Sequence, residues 1–137
     1  MKRRFILIAM TLIGGCATTA RSGDADAPKS FAGTQWMIAS INGAPPSAER
    51  KAAISFADER ISGSAGCNSF GGGYAVSGGT MTVTQVISTK MACVGPGMDQ
   101  ENAFFKILAA PMTMAWGKDG ALTLSDGAGS VTLAPTA

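Results

Sequence analysis

The alternation of apolar and polar side chains from residue 34 onward predicts a chain built mainly of short β-strands. In most segments apolar residues return at every second position, the period of strands that bury one face. Asn-Gly, Pro-Pro, Gly-Gly and Lys-Asp-Gly sequences separate these segments and predict turns. The predicted strands are residues 34–41, 52–57, 60–65, 74–77, 80–87, 112–116, 121–125 and 130–134.

One segment, Met98 to Ala110, has the period of a helix instead. Its apolar side chains Phe104, Ile107 and Leu108 fall on one stripe of the helix. Phe105 lies beside that stripe. Asp99 and Glu101 lie near its start, where negative charge complements the helix dipole, and Pro111 ends it. The fold class predicted is therefore mainly β with one α-helix: a small antiparallel β-barrel or sandwich capped by the helix.

The same pattern predicts which side chains form the core. The residues expected to be largely buried are Trp36, Ile38, Phe56, Phe70, Tyr74, Phe104, Leu108 and Leu122. The six methionines of the domain are expected to fill gaps in this core, because a thioether side chain is flexible.

Residues 1–15 have the organisation of a lipoprotein signal peptide. Basic residues at positions 2–4 precede an apolar run, Phe5 to Ile13, which is shorter than the roughly 20 residues that span a bilayer. Leu12 to Cys16 resembles a lipobox, so we expect cleavage before Cys16 and lipidation of that residue. The alternative is an ordinary signal peptide cleaved near Ala20, with Cys16 unmodified.

The segment after Cys16 predicts how the chain is attached and where. Residues 16–30 lack apolar periodicity and are expected to form a flexible tether, followed by one domain at 31–137. Ala17 follows the cysteine, where lipoproteins of diderm bacteria that stay in the inner membrane carry aspartate. By that resemblance we expect a lipid anchor at Cys16 in the outer membrane, with the domain facing the periplasm.

Charge and composition exclude several classes of function. Without the three basic residues of the signal, the chain has eight Lys and Arg against nine Asp and Glu, a net charge of −1. No basic patch remains for nucleic acid, so no nucleic-acid partner is expected. The chain has no histidine, the commonest general base and zinc ligand. We therefore assign no catalytic residue, no metal ligand and no cofactor.

Two cysteines remain in the domain, Cys67 and Cys93. An even pair in an exported protein favours a disulfide, which small domains use to strengthen a modest core. The alternative is two separate buried thiols that pack as small hydrophobic side chains. Neither cysteine belongs to a CxxC motif, so a redox-active pair is not expected.

The segments around these cysteines are the most distinctive of the chain. The glycine-rich segment 63–74 is interpreted as a structural turn, with a ligand-binding loop as the alternative, since clustered glycines usually mark turns. In the segment 88–93, Ser88 and Lys90 suggest a catalytic dyad, but a nucleophile also needs a third, orienting group. The preferred interpretation is a strand end that leads to a buried Cys93.

Together the sequences SGSAGCNSFGGGY and STKMAC, with Trp36 before them and a helix after them, resemble the META domain of HslJ-like heat-shock lipoproteins. The resemblance covers about residues 31–134 and implies a barrel-like β fold with one helix, similar in shape to the pilotins of type III secretion. It implies an envelope protein, in some cases heat-inducible and associated with novobiocin tolerance, and no enzymatic activity. The motif residues are Gly66, Cys67, Asn68, Phe70, Tyr74, Thr89, Met91, Ala92 and Cys93.

Three functions follow from these observations. The first is a non-enzymatic, lipid-anchored envelope protein that supports envelope integrity or stress tolerance by binding another envelope component, a protein or a lipid. The second is a pilotin-like carrier that binds a lipid or an amphipathic peptide in an apolar groove, which rests on the similarity of fold alone. The third is a thiol-dependent enzyme that uses Cys67 or Cys93.

Overall fold

Antiparallel strands close into a barrel in which each strand pairs with its neighbours in sequence and the last pairs with the first. The computed structural model describes residues 30–47 and 51–136. Within these residues the elements are β1 Gln35–Ile41, β2 Ala53–Ala57, β3 Arg60–Ser64, β4 Ser69–Ser77, β5 Thr80–Ser88, α1 Gly97–Leu108, β6 Met112–Trp116, a 3-10 turn Lys118–Gly120, β7 Leu122–Asp126 and β8 Gly129–Pro135.

The predicted class is confirmed, and the choice that the sequence left open is settled in favour of a barrel. Met37 of β1 pairs with Ala134 of β8 on one side and with Ala53 of β2 on the other, so no sandwich edge is left at β1. The helix begins one residue earlier and ends two residues earlier than predicted. A closed barrel satisfies backbone groups that two separate sheets would leave at their edges.

The barrel interior is filled by apolar side chains from alternate positions of the strands. Those with no measurable exposure are Ile61, Met81, Met112, Leu122, Leu124, Val131 and Leu133. Seven of the eight residues predicted for the core are buried; Tyr74 is only half-buried and packs against the core from its rim. Of the six methionines, only Met81 and Met112 are buried, and Met91 is exposed.

The glycine-rich segment is a strand over most of its length, so its interpretation as a turn is wrong from Ser69 onward. The irregular part is limited to residues 65–68, and β4 runs through Gly71, Gly72 and Gly73. A Cβ atom on Gly72 would lie 2.8 Å from the carbonyl oxygen of Thr84 in β5. The glycine therefore permits a close approach of two backbones. Gly71, Gly72 and Gly73 carry no side chains whose polarity could alternate, so the sequence predicts this strand only from Tyr74 onward.

The barrel is weakly closed between β5 and β6. Pairing there joins Thr80 to Thr113 and Met81 to Met112, whereas β4 and β5 pair along their whole length. A bulge at Gln85, with a positive φ of 52°, bends β5 beyond this point. The second half of β5 has no partner in β6 beyond Met81, and its last residue, Ser88, lines a cleft with side chains of helix α1.

Helix α1 covers one end of the barrel and packs mainly against β8 and β1. Its buried face consists of Gly97, Glu101, Phe104, Ile107 and Leu108, an i, i+4, i+7 series that includes the predicted apolar stripe. Among the described residues, no helix has the length and apolar character needed to cross a membrane.

Candidate functional site

The two motif segments meet at the end of the barrel that α1 covers. The first is the irregular segment 65–68 between β3 and β4, and the second is residues 89–96, between β5 and α1. A disulfide joins Cys67 to Cys93, with their Cα atoms 6.0 Å apart, so the predicted bridge is confirmed. Cys67 is buried, whereas Cys93 is half-buried rather than fully buried as the sequence suggested.

Asn68 connects the two segments through its side-chain amide. Its Oδ1 accepts hydrogen bonds from the Thr89 hydroxyl at 2.9 Å and from the Met91 backbone N–H at 2.7 Å. Its Nδ2 donates to the Met91 carbonyl oxygen at 3.4 Å and to Glu101 Oε2 at 2.9 Å. Both acceptor positions and both donors are used, which fixes the orientation of the amide. The side chain is only 4% exposed, so an unmade bond here would be costly.

Glu101 attaches this network to the helix. Its carboxylate accepts the backbone N–H of Asn68 at 3.0 Å in addition to the Asn68 amide, and the residue is 2% exposed. The position of Glu101 near the helix start predicts only an interaction with the helix dipole, and that prediction misses the burial of Glu101 and its role in holding the loop. The helical spacing could have indicated the burial of Glu101, because this residue lies three positions before Phe104 and seven before Leu108, on the buried stripe.

A second connection between the segment 65–68 and helix α1 lies beside the Asn68 network, where the two backbones are in close contact. Gly66, with a φ of 151°, faces Gly97 at the start of α1, and a Cβ atom on Gly66 would lie 3.0 Å from the Gly97 carbonyl oxygen. Gln100 donates to the carbonyl of Ala65 and accepts the backbone N–H of Ser47 at 2.7 Å. The first turns of α1 are thereby bonded to the loop through both Gln100 and Glu101.

Two further motif residues, Phe70 and Tyr74, lie on β4 outside this network. Phe70 is buried and packs against the rings of Phe104 and Phe105, with centroids 5.4 and 5.7 Å apart, so it supports α1 from below. Tyr74 lies farther along β4, where its hydroxyl donates to the Ala57 carbonyl at 3.0 Å. Burial raises the pKa of Tyr74 above its ordinary value, and the carboxylates of Asp58 and Glu59 raise that pKa further.

A cleft of about 330 Å³ opens beside the Asn68 network. One wall is formed by residues 88–92 and the other by the side of α1 that carries Met98, Asn102 and Phe105, with Asn68 and Glu101 at its base. Four motif residues line it: Asn68, Thr89, Met91 and Ala92. Because Lys90, Met91 and Ala92 are exposed, the cleft is open to solvent. This is the candidate site.

The described side chains bear on the catalytic alternatives that the sequence raised. Both domain cysteines are joined in the disulfide, and a thiol enzyme needs a free thiolate. Within residues 30–47 and 51–136 there is no cluster of three acidic or cysteine side chains that could hold a metal ion. Ser88 and Lys90 both line the cleft. Cys16, predicted to be lipidated, lies outside the described residues.

Comparison with known proteins supports the resemblance seen in the motifs. The model of the META domain family matches residues 29–136. An NMR structure is 27% identical, with a TM-score of 0.63, and the match covers 74% of this chain and 87% of the other. A second NMR structure, of a protein from Burkholderia xenovorans, is 22% identical with a TM-score of 0.62; it covers 85% and 97% of the two chains and shows the fold alone. No curated protein matches.

Proposed function

This chain belongs to the META domain family, and on that premise we propose that it is a lipid-anchored protein of the bacterial envelope without enzymatic activity. Membership suggests a stress-related envelope protein. In our proposal the chain supports envelope integrity or stress tolerance by binding another envelope component through the cleft between β5 and α1. The anchor is Cys16, and the domain faces the periplasm from the outer membrane.

The observation that carries the proposal is that the motif residues build and line one solvent-open cleft. The polar groups of Asn68 are engaged in hydrogen bonds within the protein, which makes them structural. A carboxamide also has no ionisable proton to transfer near neutral pH, which general acid or base catalysis requires. A framework that rigid reduces the ordering cost of binding, because the walls of the cleft are positioned before a partner arrives. The disulfide agrees with an oxidising compartment such as the periplasm.

A test is rescue of a strain from which the gene has been deleted, scored as survival after heat shock or during novobiocin exposure. The full chain should restore survival. Cys16→Ser should fail because the protein would not be anchored, and Ala92→Arg should fail because the new side chain would fill the cleft. Ala115→Arg is the matched control, because Ala115 is an exposed alanine on β6, away from the cleft.

Immunoblots of membrane fractions must show equal amounts of each variant, apart from the expected displacement of Cys16→Ser from the outer membrane. Full rescue by both Cys16→Ser and Ala92→Arg would overturn the proposal. Rescue by Ala92→Arg alone would retain the anchored role and remove the cleft from it.

A further inference from the structure

The second half of β5 is a strand edge that the barrel does not cover with another strand. β6 begins only at Met112, because the preceding chain is helix α1 followed by Pro111, which has no backbone N–H to donate to a ladder. Among the described residues, β6 therefore pairs with β5 at Thr80 and Met81 and not beyond. An uncovered edge of this kind is a template for an added strand.

Exposed apolar side chains are concentrated along this edge and the loop that follows it. Ile87 is 75% exposed and Val94 is 94% exposed, and Val86 and Met91 belong to the same group. These four residues lie within nine positions of the sequence, beside the cleft. Water-exposed aliphatic side chains clustered next to an open strand edge favour a partner that supplies both a backbone and apolar side chains.

The position of the edge argues against the membrane as its occupant. Ser30, where the predicted tether joins the domain, lines a cleft with Val76, near the β4–β5 hairpin. Ile87, in the open edge, pairs with Gly71 of β4, five residues before Val76, which corresponds to about 17 Å along a strand. A domain held at Ser30 therefore presents this edge away from its point of attachment.

The charges around the cleft indicate the sign of the partner. Of the two charged side chains that line it, Glu101 is buried and bonded to Asn68, whereas Lys90 is exposed. A segment bound here meets an exposed positive charge next to apolar surface. An acidic residue beside its apolar ones would complement Lys90.

We propose that the β5 edge between Val83 and Ser88 receives an extended segment of another envelope protein as an additional strand. This inference rests on the proposed function and names the kind of partner. The segment has alternating apolar side chains, one of which packs beside Ile87 at the mouth of the cleft, and an acidic residue that faces Lys90. The bulge at Gln85 limits the regular edge to a few residues, which restricts uncontrolled pairing between copies of this chain.

The experiment places a photo-crosslinking amino acid at position 87 of the full chain in intact cells. Val76 is the matched control, because it is an exposed aliphatic residue at the other end of the hairpin. The crosslinked residues of the partner are mapped by mass spectrometry. We expect products from position 87 and not from position 76, formed with a protein segment whose apolar residues alternate and which contains an acidic residue.

A synthetic peptide of the mapped segment then tests the mode of binding to the full chain in detergent. Two versions of the peptide are methylated at alternate backbone nitrogens, one at the odd and one at the even positions, which removes ladder donors but keeps every side chain. The version that loses the N–H groups facing β5 should bind about tenfold or more weakly than the other. Lys90→Glu should weaken binding by about the same factor, whereas Lys118→Glu, an exposed lysine in the 3-10 turn, should not.

Several outcomes would overturn this inference. They are equal crosslinking at positions 76 and 87, products with lipid alone, products with a second copy of this chain, and equal binding of the methylated peptides. If no crosslinked product forms at position 87 but Ala92→Arg still abolishes rescue, the added strand is refuted and the proposed function stands.

Discussion

Glu101 accepts two hydrogen bonds from one residue, Asn68: one from its backbone N–H at 3.0 Å and one from its side-chain amide at 2.9 Å. The pair joins the loop before β4 to the buried face of α1. Because both residues are almost completely buried, water cannot replace a bond that is lost. The stability of this end of the barrel should therefore respond to very small chemical changes in either side chain.

Glu101→Gln is expected to lower the free energy of unfolding by about 1–3 kcal/mol, measured by urea denaturation. The glutamine has nearly the same shape, but its NH₂ group replaces one acceptor and faces a donor of Asn68. Asp99→Asn is the control, because Asp99 is an exposed acidic residue in the first turn of the same helix. Equal effects of the two substitutions would mean that helix charge, rather than the Asn68 network, is responsible.

Reduction of the Cys67–Cys93 disulfide is expected to destabilise the domain by about 3.5 kcal/mol in the chain-entropy model, given its separation of 26 residues. Urea denaturation with and without a reductant measures the loss. A Cys67→Ser, Cys93→Ser double variant should be insensitive to the reductant and should match the reduced wild type. A wild type that reductant leaves unchanged would show that the bridge contributes nothing to stability.

Gly63→Ala should be far more harmful than Gly78→Ala, although both glycines have a positive φ. At Gly78 a Cβ atom would meet nothing within 4 Å, so only the backbone preference is lost, about 1 kcal/mol. At Gly63 the Cβ atom would overlap the carbonyl oxygen of Ala53 in the neighbouring strand, which adds about 1–3 kcal/mol of steric strain. Thermal denaturation of the two variants separates these terms; similar melting temperatures would contradict the close approach of β2 and β3.

Phe104→Ala is expected to cost about 3–5 kcal/mol, because the side chain is completely buried between the barrel and α1. Phe105→Ala removes the same atoms from a half-buried position one residue away and should cost less. The difference between the two melting temperatures tests the docking of the helix. A shift of only a degree or two for Phe104→Ala would mean that α1 is not packed as described.

Ionisation of Tyr74 is expected to lower the free energy of unfolding at high pH. Its pKa is raised in the folded state, chiefly by burial, so the folded state retains the proton more strongly than the unfolded chain. The stability that follows from this is fully present below about pH 10, the ordinary pKa of tyrosine, and is lost as the pH rises through the raised value. Urea midpoints between pH 8 and pH 11 should fall more steeply for the wild type than for Tyr74→Phe. Parallel curves would contradict the prediction.

Most elements of the fold could be predicted because their side chains alternate. The strand around Ile54 and Phe56 and the helical stripe of Phe104 and Leu108 each carry their own period. Barrel closure could not be predicted in this way, because the pairing of β1 with β8 depends on register between residues about a hundred positions apart. The start of β4 was missed because Gly71, Gly72 and Gly73 carry no side chain whose polarity could alternate.

The candidate site was predicted in part. The motifs identified Asn68 and its neighbours but not the residue that holds them, because a glutamate near a helix start is usually explained by the helix dipole. The open edge of β5 could not be predicted from local pattern either. It depends on where β6 begins relative to β5, a relation between Met81 and Met112 that only the folded chain determines.

The pairing of the first and last strands also sets when the domain can fold. The Gln35 carbonyl accepts the backbone N–H of Thr136 at 3.1 Å, so the barrel closes only when almost the entire domain sequence is available. Contacts between such distant positions form slowly, because the loop between them must be ordered first. A chain that crosses a membrane from its N-terminus would thus remain open until its last strand has emerged on the far side. In an exported chain of the kind that we propose, the topology itself would keep the domain open for the duration of translocation.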